Sequence, residues 1–237
     1  MSDPLRVALV AEGPTDYIVL EAGLNSLLKD RSFVLTLLQP ESSAAFGQFG
    51  GGWSGVYRWC QQAVTRTGGA IQTDIVFSTY DILIVQVDAD VAEKQYSDAG
   101  LTESVQDLPC AEPCPPASAT TNRLRSVVLR WLGATDVPSK TVLCTPSANT
   151  ETWVLAALYP EDAKPGIECR KSPEALLFVG KPAHERLVRR KGNGYDKRTE
   201  RYRDRSSDIS NAWPVVRKHC SEAERFSRDF QNVVASL

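Results

Sequence analysis

The chain has 237 residues, of which 42% are hydrophobic and 24% charged, with a formal net charge of −2. This length suffices for a buried core without a metal or disulfide staple, and the near-neutral balance excludes a protein that binds nucleic acid through a whole-molecule basic field. No stretch approaches the roughly 20 apolar residues of a membrane span. The N-terminal apolar run is short and ends in an acid, unlike a secretory leader. These features predict a cytoplasmic protein that does not use a membrane, with its six cysteines as thiols.

Leu5–Ala11 is a nearly continuous apolar run and reads as a buried parallel strand. Glu12 and Gly13 follow, with Pro14 suited to a first helical position. Tyr17–Leu28 then reads as an amphipathic helix with Ile18, Leu20, Leu24, Leu27 and Leu28 on its apolar face. Phe33–Leu38 is a second strand, which completes a βαβ unit. Residues 39–55 are glycine-rich and loop-like, and Val56–Arg66 reads as helix. Asp81–Val87 is the clearest strand and runs into Asp88-Ala89-Asp90. Residues 91–117, with the run CAEPCPP, are expected to be a long irregular segment of the kind usually kept for function. Thr120 or Thr121 should cap a helix to Leu132, and Lys140–Thr145 should be a strand. Asn149 or Thr150 should cap a helix ending near Leu158. From 161 onward the pattern is helical. The expected organisation is an α/β core with a mostly parallel sheet over 1–160, and a helical, basic extension over 161–237 packed on it.

Glu12 follows the first strand, and Asp88 and Asp90 follow the central one. The carboxyl ends of strands in an open parallel sheet converge on one edge, so these acids should be neighbours. Crowded carboxylates raise one another's pKa unless a cation neutralises them, and Mg²⁺ is the hard, oxygen-seeking ion for that role, with Mn²⁺ as a substitute. The competing reading is that acids at strand ends cap helices or face water.

Strand-Glu-Gly-x-x-Asp-helix followed by strand-Asp-x-Asp, here LVAEGPTD (9–16) and IVQVDAD (84–90), resembles the Toprim domain of topoisomerases, primases and small nucleases. PSANTETWVLAAL (146–158) and SEAERFSRDF (221–230) resemble segments of small stand-alone bacterial Toprim-like proteins, close to the overcoming-lysogenization-defect type of nucleases. The resemblance implies a Toprim-like (Rossmann-like) fold, with Glu12, Asp88 and Asp90 as catalytic metal-holding acids. By the same resemblance Asp16 and Glu151 join the metal set, although both are also ordinary first-turn helix acids. It further implies a hydrolase acting on phosphodiester bonds of RNA or DNA, possible use in anti-phage defence, and a possible partner ATPase. The chain is too short to hold the remainder of a topoisomerase, and the parts a primase needs are not found.

Residues 181–205 hold ten Lys/Arg against four Asp/Glu, a local +6 that leaves −8 on the rest. Arg186, Arg189, Arg190, Lys191, Lys197 and Arg198 are the expected nucleic-acid contacts, with Tyr195 and Tyr202 available to stack on bases. The alternative is a solvated helix of mixed charge. Lys181 or Lys197 could stabilise transition-state charge. Two other function classes remain open: a non-enzymatic or conditionally active subunit, as a homo-oligomer or with an ATPase, and a metal-dependent phosphatase or nucleotide hydrolase. Cys110 and Cys114 resemble half a zinc site with no matching second half.

Overall fold

The structure is a computed structural model and describes residues 3–41, 49–69 and 71–237. Its elements in chain order are β1 (Leu5–Val10), α1 (Pro14–Leu27), β2 (Phe33–Gln39), α2 (Gly52–Thr67), α3 (Val76–Thr79), β3 (Ile82–Gln86), α4 (Ala117–Trp131), β4 (Thr141–Cys144), α5 (Glu151–Leu158), α6 (Pro173–Phe178), β5 (Val188–Lys191), β6 (Gly194–Lys197), α7 (Thr199–Asp204), α8 (Ser206–Asn211), α9 (Trp213–His219) and α10 (Ser221–Ala235). Short 3₁₀ turns occupy Ala89–Glu93, Tyr96–Ala99 and Ile167–Cys169.

Four strands form one parallel sheet in the order β2-β1-β3-β4. The apolar runs explain it. Every residue of β3 and β4 is buried, as strands covered on both faces must be. Alternation assigns the two faces. Leu5, Val7, Leu9, Ile82, Ile84 and Val142 point to one core, and Ala8, Val10, Leu83, Val85 and Leu143 to the other. Helices α2 and α4 cover the second core, whereas α1, α5 and the C-terminal helices cover the first. From β1 the chain steps outward to β2, then returns to place β3 on β1's other side. The gap between the ends of β1 and β3 is therefore the switch point, where open sheets of this kind form a crevice.

The expected α/β core is present, and several boundaries move. Helix α1 starts at Pro14 and is not simply amphipathic: Asp16, Val19, Ala22 and Gly23 are buried beside Ile18, Leu20 and Leu24 because the C-terminal helices cover its outer side. Helix α2 begins at Gly52, so the expected 39–55 loop is shorter, and residues 42–48 of it lie outside those described. Helix α4 begins at Ala117 with Pro116 as its cap, so Thr120 and Thr121 sit inside it. The Thr120 hydroxyl instead ties back to the Glu112 backbone. The purely helical C-terminal part is overturned at residues 188–197, which form an antiparallel hairpin. Its two-residue turn is Gly192-Asn193, and Gly192 adopts φ +58° at the first turn position, a conformation that favours glycine. Charged side chains on both strands hid any apolar alternation.

The cysteine expectation also fails at one pair. Cys114 and Cys169 form a disulfide with Cα atoms 5.4 Å apart, well within bridging range. Their sequence separation of 55 concealed that the 91–117 segment and the Ile167–Cys169 turn face each other. Cys60, Cys110, Cys144 and Cys220 are free and buried, so Cys114 is no longer available to the suspected zinc half-site. No helix among the described residues is long and apolar enough to cross a membrane.

Candidate functional site

The ends of β1 and β3 are pinned together by their own residues. The Asp88 backbone N–H donates to Glu12 Oε1 at 2.8 Å. Gln86, buried at the last position of β3, accepts from the Glu12 backbone N–H at 3.0 Å and donates through Nε2 to Asp88 Oδ1 at 2.7 Å. This amide has both its oxygen and its nitrogen engaged, which fixes Glu12 and Asp88 relative to one another.

The remaining acids approach from other elements. Asp16, in the first turn of α1, is buried and accepts the Thr150 hydroxyl at 2.6 Å. Thr150 precedes α5 without capping it, because its side chain is committed to Asp16. Glu151 opens α5 and is fully buried. Its Oε1 accepts the Tyr202 hydroxyl at 2.9 Å, and its Oε2 lies 2.7 Å from Lys197 Nζ. Asp90 stands apart: it is exposed, and its backbone N–H donates to the Ala148 carbonyl at 3.0 Å. Ala148 adopts φ +57°, a left-handed conformation uncommon for a residue with a Cβ.

Electrostatics join these groups into one cluster. Burial, followed by Asp90 and Asp16, raises the Glu12 carboxyl from its ordinary range to about 8. Burial, followed by Asp16 and Glu12, pushes Asp88 well up. Glu151 is raised by burial, with Lys197 opposing, and Asp90 is raised by partial desolvation although its side chain remains exposed, with Lys94 and Lys197 opposing. Lys197 is held well above its usual range, with Glu151, Asp16 and Asp88 outweighing its own desolvation. Its ammonium is thus the cation that these carboxylates share. Among the acids expected from the sequence, Glu12 and Asp88 thus feel Asp16 and Asp90, and Glu151 feels Asp16.

Among the described residues, no three His, Cys, Asp or Glu side chains stand together as a ready-made metal site. The hydrogen bonds above explain why: Glu12, Asp88, Asp16 and Glu151 each point an oxygen at a protein partner. The donor chemistry nevertheless fits a hard divalent cation, because the set is entirely carboxylate oxygen and two members are driven toward protonation where only one ammonium balances them.

Beside Asp90 lies a cleft of about 500 Å³ lined also by Glu93, Thr120, Ser147, Ala148 and Arg170. The other four acids do not line it. Of the expected nucleic-acid contacts, Arg189, Arg190 and Lys191 are exposed on β5. Arg189 pairs with Asp196 at 2.7 Å, and Arg190 lies 5.8 Å above the Tyr195 ring. Arg186 and Arg198 are partly buried and spend donors on the carbonyls of Lys181 and Arg186. Lys197 faces inward to the acids, and Tyr202 is fully buried on Glu151, which removes both from an outer surface.

Gln86, Thr150 and Tyr202 as organisers of the acids were missed by sequence reasoning, as was Glu174, whose charge acts on Asp90 and Glu151 and whose carboxylate accepts from Asn149. Gln86 carried a signal: a polar residue in an otherwise apolar buried strand, two positions before Asp88, has to find partners. Compared with known proteins, the chain matches no family model, no curated protein and no solved structure.

Proposed function

We propose that the chain is a Mg²⁺-dependent nuclease built on a Toprim-type site, hydrolysing phosphodiester bonds of RNA or DNA. The observation that carries this reading is the meeting of Glu12 and Asp88 at the switch point of a parallel sheet, hydrogen-bonded and within electrostatic reach of Asp16 and Asp90, with Asp16 in turn acting on Glu151. Glu12, Asp88 and Asp90 would hold the ion, with Asp16 and Glu151 as further ligands. When bound, Mg²⁺ or Mn²⁺ would lower the pKa of a water and stabilise the charge that develops on the phosphate oxygens. The chain's own residues do the remainder. Gln86 orients Glu12 and Asp88, and Thr150 orients Asp16. Lys197 keeps a positive charge beside the acids, and Arg190 and Lys191 present cations to a phosphate backbone.

Purified protein is expected to cleave RNA or DNA only with Mg²⁺ or Mn²⁺. Glu12→Ala and Asp88→Ala should each lose detectable cleavage while keeping wild-type circular dichroism. Continued cleavage by both folded variants would overturn the mechanism.

A conditionally active subunit, switched by a partner ATPase, is the second reading. It is favoured by the Lys197–Glu151 contact at 2.7 Å, which engages the acids with a protein cation, and by the lack of a preassembled triad among the described residues. Tight Mn²⁺ binding without cleavage by the isolated chain would select this reading. Cleavage by the chain alone would select the first.

A further inference from the structure

Both cysteines of the disulfide line the cleft that opens on Asp90. Each belongs to a wall anchored independently of the other. On one side Leu108 and Cys110 are buried, the N–H groups of Cys110 and Ala111 donate to the Ala92 carbonyl, and Asp107 accepts from Tyr96 and Arg130. On the other side Ile167 is buried, and the Glu168 carboxylate accepts both the backbone N–H and the hydroxyl of Ser221, which ties the turn to the start of α10.

Among the described residues, little else joins the walls across the mouth. Lys171 and Glu93 pair at 2.6 Å, but their side chains are 83% and 54% exposed, and ion pairs this open contribute little. Cys114 is exposed and Cys169 partly so, whereas the four other cysteines are buried. Burial raises the Cys60, Cys144 and Cys220 thiols further and keeps them unreactive. Chemistry at sulfur is thereby directed to this one pair.

We propose that Cys114–Cys169 is a thiol–disulfide exchange site whose substrate is a dithiol reductant, and that its reduction releases the two walls of the cleft beside Asp90. A thiolate of the reductant attacks one sulfur, breaks the Cys114–Cys169 bond and forms a mixed disulfide. The reductant's second thiol then displaces the protein sulfur and leaves as a disulfide. Two electrons and two protons pass to Cys114 and Cys169, which end as thiols. The exchange itself stands on the cleft geometry. Only its consequence for cleavage rests on the nuclease reading.

The test uses the full chain, purified without reductant, then compared before and after dithiothreitol. Alkylation of the native protein is expected to add two tags on reduction, at Cys114 and Cys169. Hydrogen exchange in 110–117 and 166–171 should rise at least about tenfold, a loss of local protection, while β1 and β3 stay unchanged. Cys114→Ser/Cys169→Ser should match the reduced wild type with or without dithiothreitol. The proposal is overturned if the purified protein carries both residues as thiols that mild oxidation does not join, or if reduction leaves exchange in both segments unchanged. Mn²⁺-dependent cleavage of a single-stranded oligonucleotide should rise several-fold on reduction in the wild type and be insensitive to dithiothreitol in the double variant. An exchange response with no cleavage in either state removes the nuclease reading and leaves the redox site standing.

Discussion

Glu12 carries the sharpest conflict in the molecule. The backbone places it beside Asp88; burial first, and then Asp90 and Asp16, raise its carboxyl to about 8, and the Asp88 N–H and Lys197 oppose that. The sign of the consequence follows. The folded pKa lies above the ordinary 4.5, so between those values the folded chain holds a proton that the unfolded chain has released. The stability tied to this proton is complete below pH 4.5 and is lost as pH rises through about 8. Thermal unfolding of metal-free protein should therefore show a Tm that falls from pH 5 to pH 9, as stability drops by at most about 1.4 kcal/mol per pH unit for each carboxyl involved. Glu12→Gln keeps the acceptor for the Asp88 N–H and removes the charge, so it should shrink that slope, although Asp88 still contributes. Added Mg²⁺ should flatten the wild-type profile. A wild-type Tm independent of pH across this window would refute the electrostatic account.

At the scale of elements, the strand ends were legible and the contacts between distant elements were not. The apolar runs at 5–11 and 81–87 end in Glu12 and Asp88, and parallel topology alone brings those ends together. Lys197 was legible only as one of two lysines that could serve the acids, because the direction it faces depends on a hairpin whose turn, and no hydrophobic pattern, sets its register. The disulfide was hidden for the same reason: pairing across 55 residues is a property of the folded loops. The hairpin yields its own prediction. Arg190 and Lys191 are exposed at its tip side, Lys191 only loosely paired with Asp196 at 4.0 Å, whereas Arg189 is held on Asp196 at 2.7 Å. Arg190→Glu/Lys191→Glu should weaken nucleic-acid binding for every sequence and reduce the salt slope of the affinity by about 2, with no change in thermal stability. An unchanged slope in a binding titration would remove the hairpin from the interface. Helix α1 gives another. A Cβ on Gly23 would come within 2.8 Å of the Trp213 ring, so α1 and α9 touch because this residue is glycine. Gly23→Ala should cost about 1–3 kcal/mol by overpacking, despite alanine's better helix propensity, as read by urea unfolding.

The whole molecule places its acids between two cores that differ in origin. The face under α2 and α4 is completed by Trp131, entirely from the first 160 residues. The opposite face is completed by the C-terminal part: Trp153 of α5 packs edge-on to Trp213 at 5.6 Å and stacks on Phe226 at 6.1 Å, and Trp213 donates its N–H to Ser227. The same C-terminal part supplies Lys197 and Tyr202 to Glu151. A core of residues 1–160 alone would thus expose Trp153, Leu20 and Leu24 and leave the buried Glu151 without its partners, each a loss comparable to a large share of a domain's total stability of about 5–15 kcal/mol. The two parts should therefore unfold together. Tryptophan fluorescence and far-ultraviolet circular dichroism are expected to give one coincident urea transition. Phe226→Ala, which removes a fully buried ring from α10, should shift that entire transition by about 3–5 kcal/mol and lower Mn²⁺ affinity at the distant acids, because Trp153 sits two residues from Glu151 on the same helix. Two separate transitions, or a Phe226→Ala protein that loses only the C-terminal signal, would show that the helical extension is an appendage and that the site belongs to the sheet alone.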